Sequence, residues 1–394
     1  MNEAILKTEV QNFINDNINE DVSKIIFKGS PFEEISVQEL ANQIVAKKKS
    51  QKKLPTWFAS KNIYYPPKIS IEQTSSEITA KYKSEIISGN SLIDLSGGFG
   101  IDSFYFSKKV EKVTHCEINQ NLSIIVKHNY EQLAVNNIDT LAVDGISFLK
   151  NCEDNFDWIY IDPSRRDNTK GKVFLLKDCT PNVPEELDLL FSKSENILIK
   201  VSPILDITST LKELKHTKEI HVVAVNNEVK ELLFVLKKDF TQSTTIKTVN
   251  LKVTGNQYFN FNSEDETHLE NIYSLPQKYL YEPNAAILKS GAFYKIPERF
   301  NLKKLHQHSH LYSSNDLIDF PGRKFIINSI VPYNKKEVRK SIPNKKANIT
   351  VRNFPKTVEQ IRKETKITDG GDTYLFFTTL IDNSKVMIIS KKIS

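Results

Sequence analysis

Leu92-Ile93-Asp94-Leu95-Ser96-Gly97-Gly98-Phe99-Gly100-Ile101-Asp102 is an apolar run that ends in an acid and passes into a glycine-rich turn. Phe104-Tyr105-Phe106 continues it like the first turns of a helix. Glycines at such a turn let backbone come within contact distance of a ligand that a Cβ would block. The helix start offers N–H groups and a positive dipole end to an anionic group. The stretch predicts a nucleotide-like cofactor site at a strand end. The order Asp94-x-Ser96-x-Gly98-x-Gly100 matches neither the G-x-G-x-x-G dinucleotide fingerprint nor the G-x-x-x-x-G-K-[ST] phosphate loop.

Val113-Thr114-His115-Cys116-Glu117 follows as a strand-like run ending in an acid, where a Rossmann-like fold places a ribose ligand. Leu122, Ile125, Val126 and Leu133 then recur at helical spacing. Thr140 to Gly145 reads as a third strand ending at Asp144, and Phe156 to Ile161 as a fourth ending at Asp162-Pro163. Asn196 to Pro203 is the fifth, Glu219 to Val225 the sixth and Leu232 to Leu236 the seventh. The short link Asn226-Asn227-Glu228 implies an antiparallel hairpin between the last two. Strands ending in acids and separated by helical segments predict a parallel sheet with its site at the carboxyl edge.

The Asp94-to-Gly100 turn resembles motif I of class I S-adenosyl-L-methionine (SAM) methyltransferases, with Ser96 in place of the first glycine. The resemblance spans residues 70 to 240 and implies an α/β, Rossmann-like, seven-stranded methyltransferase fold. It also implies SAM as cofactor, with Asp94, Ser96, Gly97, Gly98, Gly100 and Asp102 at motif I. Glu117 would hold the ribose with Ile118 beside it, Asp144 and Gly145 would meet the adenine, and Asp162 would lie near the reacting methyl. Thr74-Ser75-Ser76-Glu77 fits a capping box opening a helix to about Ser88, and the resemblance implies that this helix packs beside the methionine end of SAM, with Ser75, Ser76 and Thr79 as its candidate neighbours.

Asp162-Pro163-Ser164-Arg165-Arg166 resembles the Asp-Pro-Pro-Tyr loop of enzymes that methylate base nitrogens. There the acid and the next carbonyl accept hydrogen bonds from the amine, so Asp162 and Pro163 inherit catalytic roles. Arg165 stands in for the stacking aromatic, and with Arg166 it suits stacking on a base or gripping a phosphate. A second constellation, Lys200, Asp162 and Glu228 with Lys81 or Lys83, is similar to the tetrad of ribose 2′-O-methyltransferases, in which a lysine deprotonates the hydroxyl. The expected function is methylation of a base nitrogen in RNA (tRNA or rRNA). The alternatives are ribose methylation, a small-molecule or DNA substrate, and a SAM-binding RNA module with little turnover.

A chain of 394 residues with 39% hydrophobic content predicts two or three globular domains. No apolar run reaches the roughly 18 residues of a membrane span, and the start of the chain shows no signal peptide. Cys116, Cys152 and Cys179 are isolated, which fits a reducing cytoplasm and no structural zinc. The net charge of +6 suits a polyanionic partner. Residues 1–65 read as helical, with Val37, Leu40, Ile44 and Val45 as one stripe and Lys47 to Lys53 as a solvated basic helix end. Trp57, Phe58, Tyr64 and Tyr65 should pack on the domain that follows.

After a methyltransferase domain at 66–240, residues 241–321 read as a small α+β connecting domain. Residues 322–394 resemble a THUMP-like domain, chiefly at Ala347 to Pro355, and that resemblance implies RNA delivery. Lys345, Lys346 and Arg352 are its predicted substrate contacts, on a basic face with Lys356, Arg362, Lys363 and Lys366. His306, His308 and His310 on a strand would share one face, but no nearby Cys or paired acid completes a metal shell, so no metal is expected. The pattern sets no oligomeric state.

Overall fold

The computed structural model describes residues 1–165, 175–264 and 272–393. The chain forms two units, one of Met1–Glu219 with Leu232–Gln242, the other of Ile220–Glu231 with Ser243–Ser394.

The first unit opens with α1 (Thr8–Asp16), α2 (Val22–Lys28), α3 (Val37–Lys53), α4 (Pro55–Ala59), α5 (Lys68–Gln73) and α6 (Glu77–Ser84). Ser36 and Glu39 start α3 with a reciprocal capping box, and its inward face buries Leu40, Ala41 and Ile44. The basic run at its end is not simply solvated. Lys47 is buried and donates to Asn15 Oδ1 at 2.6 Å, Lys49 pairs with Glu72, and Lys53 donates to the carbonyls of Ile71 and Glu72. The run therefore staples α3 to α1 and α5. Trp57 is fully buried 4.7 Å from the Phe104 ring, in one core with Phe99, Ile101, Val126 and Tyr130. The N-terminal helices thus pack on the turn and helix of motif I.

The strands follow as β1 (Ser91–Asp94), β2 (Lys112–Cys116), β3 (Ile138–Leu141), β4 (Trp158–Ile161), β5 (Asn196–Val201), β6 (Thr217–Val225) and β7 (Glu228–Lys237). Between them lie α7 (Ile101–Phe106), α8 (Gln120–Gln132), α9 (Gly145–Asn151), α10 (Val183–Lys193) and α11 (Ile207–Glu213). The order is β3-β2-β1-β4-β5-β7-β6, parallel through β5 and antiparallel at β7. This is the expected Rossmann-like methyltransferase sheet. The hairpin turn uses Asn226 and Asn227 at φ 49 and 69, the positive φ pair that matches strand twist.

Three local expectations are corrected. The third strand stops at Leu141, and Asp144 instead caps α9. The helix before motif I stops at Ser84, short of Ser88. Thr74 is spent ending α5, so Ser76 is the N-cap and the predicted box does not form.

In the second unit, β8 (Thr245–Leu251) joins the outer part of β6 and pairs with β9 (Gln257–Asn262), extending the row past seven strands. A separate sheet holds β10 (Tyr279–Pro283), β11 (Lys303–Lys304), β12 (Tyr312–Ser314), β13 (Gly322–Pro332), β14 (Asn348–Arg352), β15 (Thr373–Thr379) and β16 (Lys385–Ile393). Its order is β11-β12-β10-β13-β16-β15-β14, so the segments read as separate at 321/322 share one sheet through the β10–β13 pair. The histidine run is not a strand: β11 ends at Lys304, and His310 bends at φ 51. The helix Val358–Thr365 is opened by Thr357 as its N-cap, with a full capping box to Gln360. The basic face there is partly neutralised, since Arg362 pairs with Asp369 and Lys356 with Glu364 at 2.7 Å.

Trp57→Ala is expected to lower the unfolding free energy by about 3–5 kcal/mol, because truncating a fully buried ring removes transfer energy and leaves a cavity. Denaturant titration checks this, and a loss below about 1 kcal/mol would show that the N-terminal helices do not depend on that core.

Candidate cofactor site and active site

The site is built at the carboxyl ends of β1 to β5. The motif I glycines divide by role. A Cβ on Gly97 would lie 2.2 Å from His115 Nε2, and one on Gly100, at φ +78, would lie 2.2 Å from the Tyr130 hydroxyl. Both are therefore required by packing against β2 and α8. A Cβ on Gly98, at φ +57, would meet only the Ser96 carbonyl at 3.7 Å, an ordinary contact, so its positive φ and not packing calls for glycine there. His115 beneath the turn is fully buried, neither ring nitrogen has a partner among the described residues, and burial pushes its pKa down to about 4.

Asp94 is buried at the end of β1. Its Oδ1 accepts from the Ser96 amide at 3.0 Å and hydroxyl at 3.3 Å, and its Oδ2 accepts from Ser103 at 2.6 Å. Burial pushes its carboxyl up to about 7 against those hydrogen bonds. The Ser96 hydroxyl in turn accepts the Asp162 amide at 2.7 Å. The serine that replaces the first motif I glycine thus ties the end of β1 to the loop after β4.

Glu117 follows β2 and takes the Gly98 amide on Oε2 at 2.9 Å and the Asn119 amide on Oε1 at 2.7 Å. Each carboxylate oxygen retains a second lone pair. Ile118 beside it is 72% exposed, an apolar surface next to hydrogen-bond acceptors. Asp144 accepts the Ser147 amide at 2.8 Å, and a Cβ on Gly145 would lie 2.4 Å from the Leu95 carbonyl. Only glycine lets α9 start so close to the end of β1.

A buried polar network lies on the other side of the turn. Ser75 and Tyr160 donate to Asp102 Oδ2 at 2.8 and 2.7 Å. The fully buried Lys83 ammonium sits 3.2 Å from Asp102 Oδ1 and donates to Ser75 Oγ at 3.1 Å. Burial alone would raise the Asp102 carboxyl, but the Lys83 and Lys200 ammoniums and the Tyr160 and Ser75 hydroxyls outweigh it and hold the pKa below the ordinary value. Lys83 is therefore engaged in a scaffold pair. Tyr160 was not singled out from the sequence, although it lies on β4 two residues before Asp162. Lys200 on β5 forms an ion pair with Asp162, and the lysine is the more buried partner.

Ser164 and Arg165 form a short ladder with Cys179 and Thr180. Arg166 lies outside the described residues. Glu228, Lys345, Lys346 and Arg352 belong to the second unit. Glu228 pairs with Lys230 at 2.7 Å, Lys345 occupies a turn at φ 50, and Arg352 pairs with Glu282 at 2.8 Å. Among the described residues no group of three His, Cys, Asp or Glu is arranged for a metal, and no helix is long and apolar enough to cross a membrane.

Residues 279–321 match a family described as a ferredoxin-like domain, and residues 322–392 one described as THUMP domain-like. The whole chain is similar to the crystal structure of a candidate methyltransferase from Porphyromonas gingivalis W83. Identity is 32% over 100% of this chain and 99% of that one, with a TM-score of 0.88. A candidate methyltransferase from Streptococcus mutans in complex with SAH shares 15% identity over 41% of this chain and 96% of its own, with a TM-score of 0.31. An rRNA methylase from Streptococcus thermophilus shares 12% over 42% and 98%, also with a TM-score of 0.31. No protein of curated function matches the chain.

The buried His115 generates a pH dependence. Between pH 6.5 and 4 the unfolded chain takes up a proton that the folded imidazole refuses, so stability falls as pH falls, by at most about 1.4 kcal/mol per pH unit. His115→Gln should flatten that limb in denaturant titrations across this range. Identical slopes in both proteins would refute the assignment.

Proposed function

The chain belongs to the family of methyltransferases that carry a ferredoxin-like and a C-terminal THUMP-like domain, and from that premise we propose that it transfers the methyl group of SAM to a base nitrogen of RNA. The observation that carries this reading is the fixed position of Asp162. Its amide is held by Ser96 and its carboxylate by Lys200, beside the motif I turn.

The residues present fit the cofactor. Glu117 offers carboxylate lone pairs beside the exposed apolar Ile118, a pairing suited to a ribose and an adjoining base. Gly98 supplies the positive φ of the turn where backbone would approach the ligand. Asp144 and Gly145 line the start of α9, where an adenine would be read. Ser75, through Asp102 and Lys83, sets the wall near the methionine end. When bound, SAM supplies an electrophilic methyl on a sulfonium, so the protein's task is alignment and charge stabilisation.

Asp162 performs that alignment. Lys200 occupies Oδ2, leaving Oδ1 and the Pro163 carbonyl as the acceptors assigned to an exocyclic amine, whose lone pair they would turn toward the methyl. The Lys200 ammonium keeps the carboxylate in place and offsets its charge in a partly buried setting. The same pairing favours base nitrogen over ribose oxygen, because the ribose reading needs Lys200 or Lys83 as a neutral base. Both ammoniums are instead committed to carboxylates.

Asp162→Ala should abolish methyl transfer, a loss of at least about a hundredfold, while SAM affinity by calorimetry changes less than about threefold. Full activity in this variant would sink the motif IV assignment. Nucleoside mass spectrometry of RNA from cells with and without the gene should show loss of a base-methylated nucleoside, and loss of a 2′-O-methyl nucleoside would transfer the reading to the ribose.

Ser96→Gly restores the more usual motif I residue yet removes the tie to Asp162. It should lower kcat about tenfold with SAM affinity nearly unchanged. A drop confined to SAM affinity would place Ser96 in cofactor binding alone.

A further inference from the structure

The second unit carries a group of basic side chains that methyl transfer does not use. Lys304 ends β11 and is fully buried. Its Nζ donates to the Gln307 carbonyl at 2.5 Å and lies over the Tyr294 and Phe293 rings at 4.7 and 5.7 Å. Among the described residues no carboxylate pairs with it. A buried ammonium without a counter-ion is unfavourable, and burial pushes this one down to about 8.

His310 stacks on the same Phe293 ring at 3.7 Å, and its buried Nδ1 has no partner among the described residues. Arg352, at the end of β14, gives one N–H to Glu282 at 2.8 Å, while its Nε is buried and has no partner among the described residues. Glu282 is already shared with Arg323, whose Nε donates to it at 2.6 Å. His306 Nδ1 takes the His308 amide at 3.1 Å and lies 2.9 Å from Asn353 Nδ2, an arrangement that assigns the ring proton to Nε2. The His306 and His308 rings are 5.5 Å apart. Burial, Lys304, Arg352 and His308 together push His310 down to about 4, as expected where cationic groups crowd without enough anions.

We propose that Lys304, His306, His308, His310 and Arg352 form a binding site for a phosphate group of the RNA substrate, an inference that rests on the RNA reading above. A phosphate presents several acceptor oxygens and can take an ammonium, a guanidinium N–H and imidazole N–H groups together. It also brings the negative charge the group lacks. The site is assembled from both matched segments, since the lysine and histidines lie in the ferredoxin-like one and Arg352 in the THUMP-like one.

The test uses the full chain and fluorescently end-labelled bulk transfer RNA, titrated by anisotropy across a salt series. Lys304→Met and His308→Ala should each weaken binding about five- to tenfold and flatten the slope of log affinity against log salt by roughly 0.7–0.9. Lys304→Met should melt no lower than wild type, because it removes an uncompensated buried charge. His308 is exposed, so its variant separates binding from folding. If wild type binds this RNA and both variants keep its affinity and salt slope, the site is wrong and the RNA reading stands. If wild type binds no RNA at low salt, the RNA reading falls and the site with it. Equal rescue of all three proteins' melting by inorganic phosphate would also overturn the site.

Discussion

The Asp162 amide donates to the Ser96 hydroxyl, and that hydroxyl donates to the buried Asp94. β1 and β4 are parallel neighbours, so the loops leaving their carboxyl ends part to opposite faces and open a crevice. A crevice alone does not set distances. The Ser96 bridge does, because it fixes the Asp162 loop against the motif I turn. Gly97 and Gly100 seat that turn on His115 and Tyr130. Cofactor cradle and substrate-facing acid are thus one hydrogen-bonded piece.

Charge in the first unit is organised in pairs. Lys83 meets Asp102, Lys200 meets Asp162, and the Asp102 carboxyl responds to both lysines. Removing one member of a buried pair leaves the other uncompensated, which is why such clusters hold their geometry. The second unit departs from this rule at Lys304, His310 and Arg352, where donors outnumber acceptors. Among the described residues of the first unit, the neutral His115 under the glycine turn is also left without a partner. It is tolerated because burial keeps it unprotonated.

Much of the site was legible in the chain because strand-end acids recur with the period of a βαβ unit. Asp94, Glu117, Asp144 and Asp162 all lie on or just beyond the ends of β1 to β4. The Asn226-Asn227 hairpin was equally readable, since a two-residue link admits few backbone conformations. Local competition explains the misses. Thr74 closes one helix and so cannot open the next, and the H-x-H-x-H alternation yields to a turn that buries Lys304. The basic run after Lys47 looked like a solvated helix end because sequence does not show that Asn15, Ile71 and Glu72 come to meet it.

By itself the sequence determined the order of strands and helices, the methyltransferase sheet and the position of a glycine turn, because these follow from local periodicity and turn chemistry. Only the tertiary structure decided which polar groups meet. It joined Ser96 to Asp162 across 66 residues and Ser75 to Asp102 across 27, and it brought Arg352 to Glu282 across 70. It also merged two segments that read as separate into one sheet through β10 and β13. Such pairings depend on how faces pack at long range, and the spacing of residues along the chain carries no record of it.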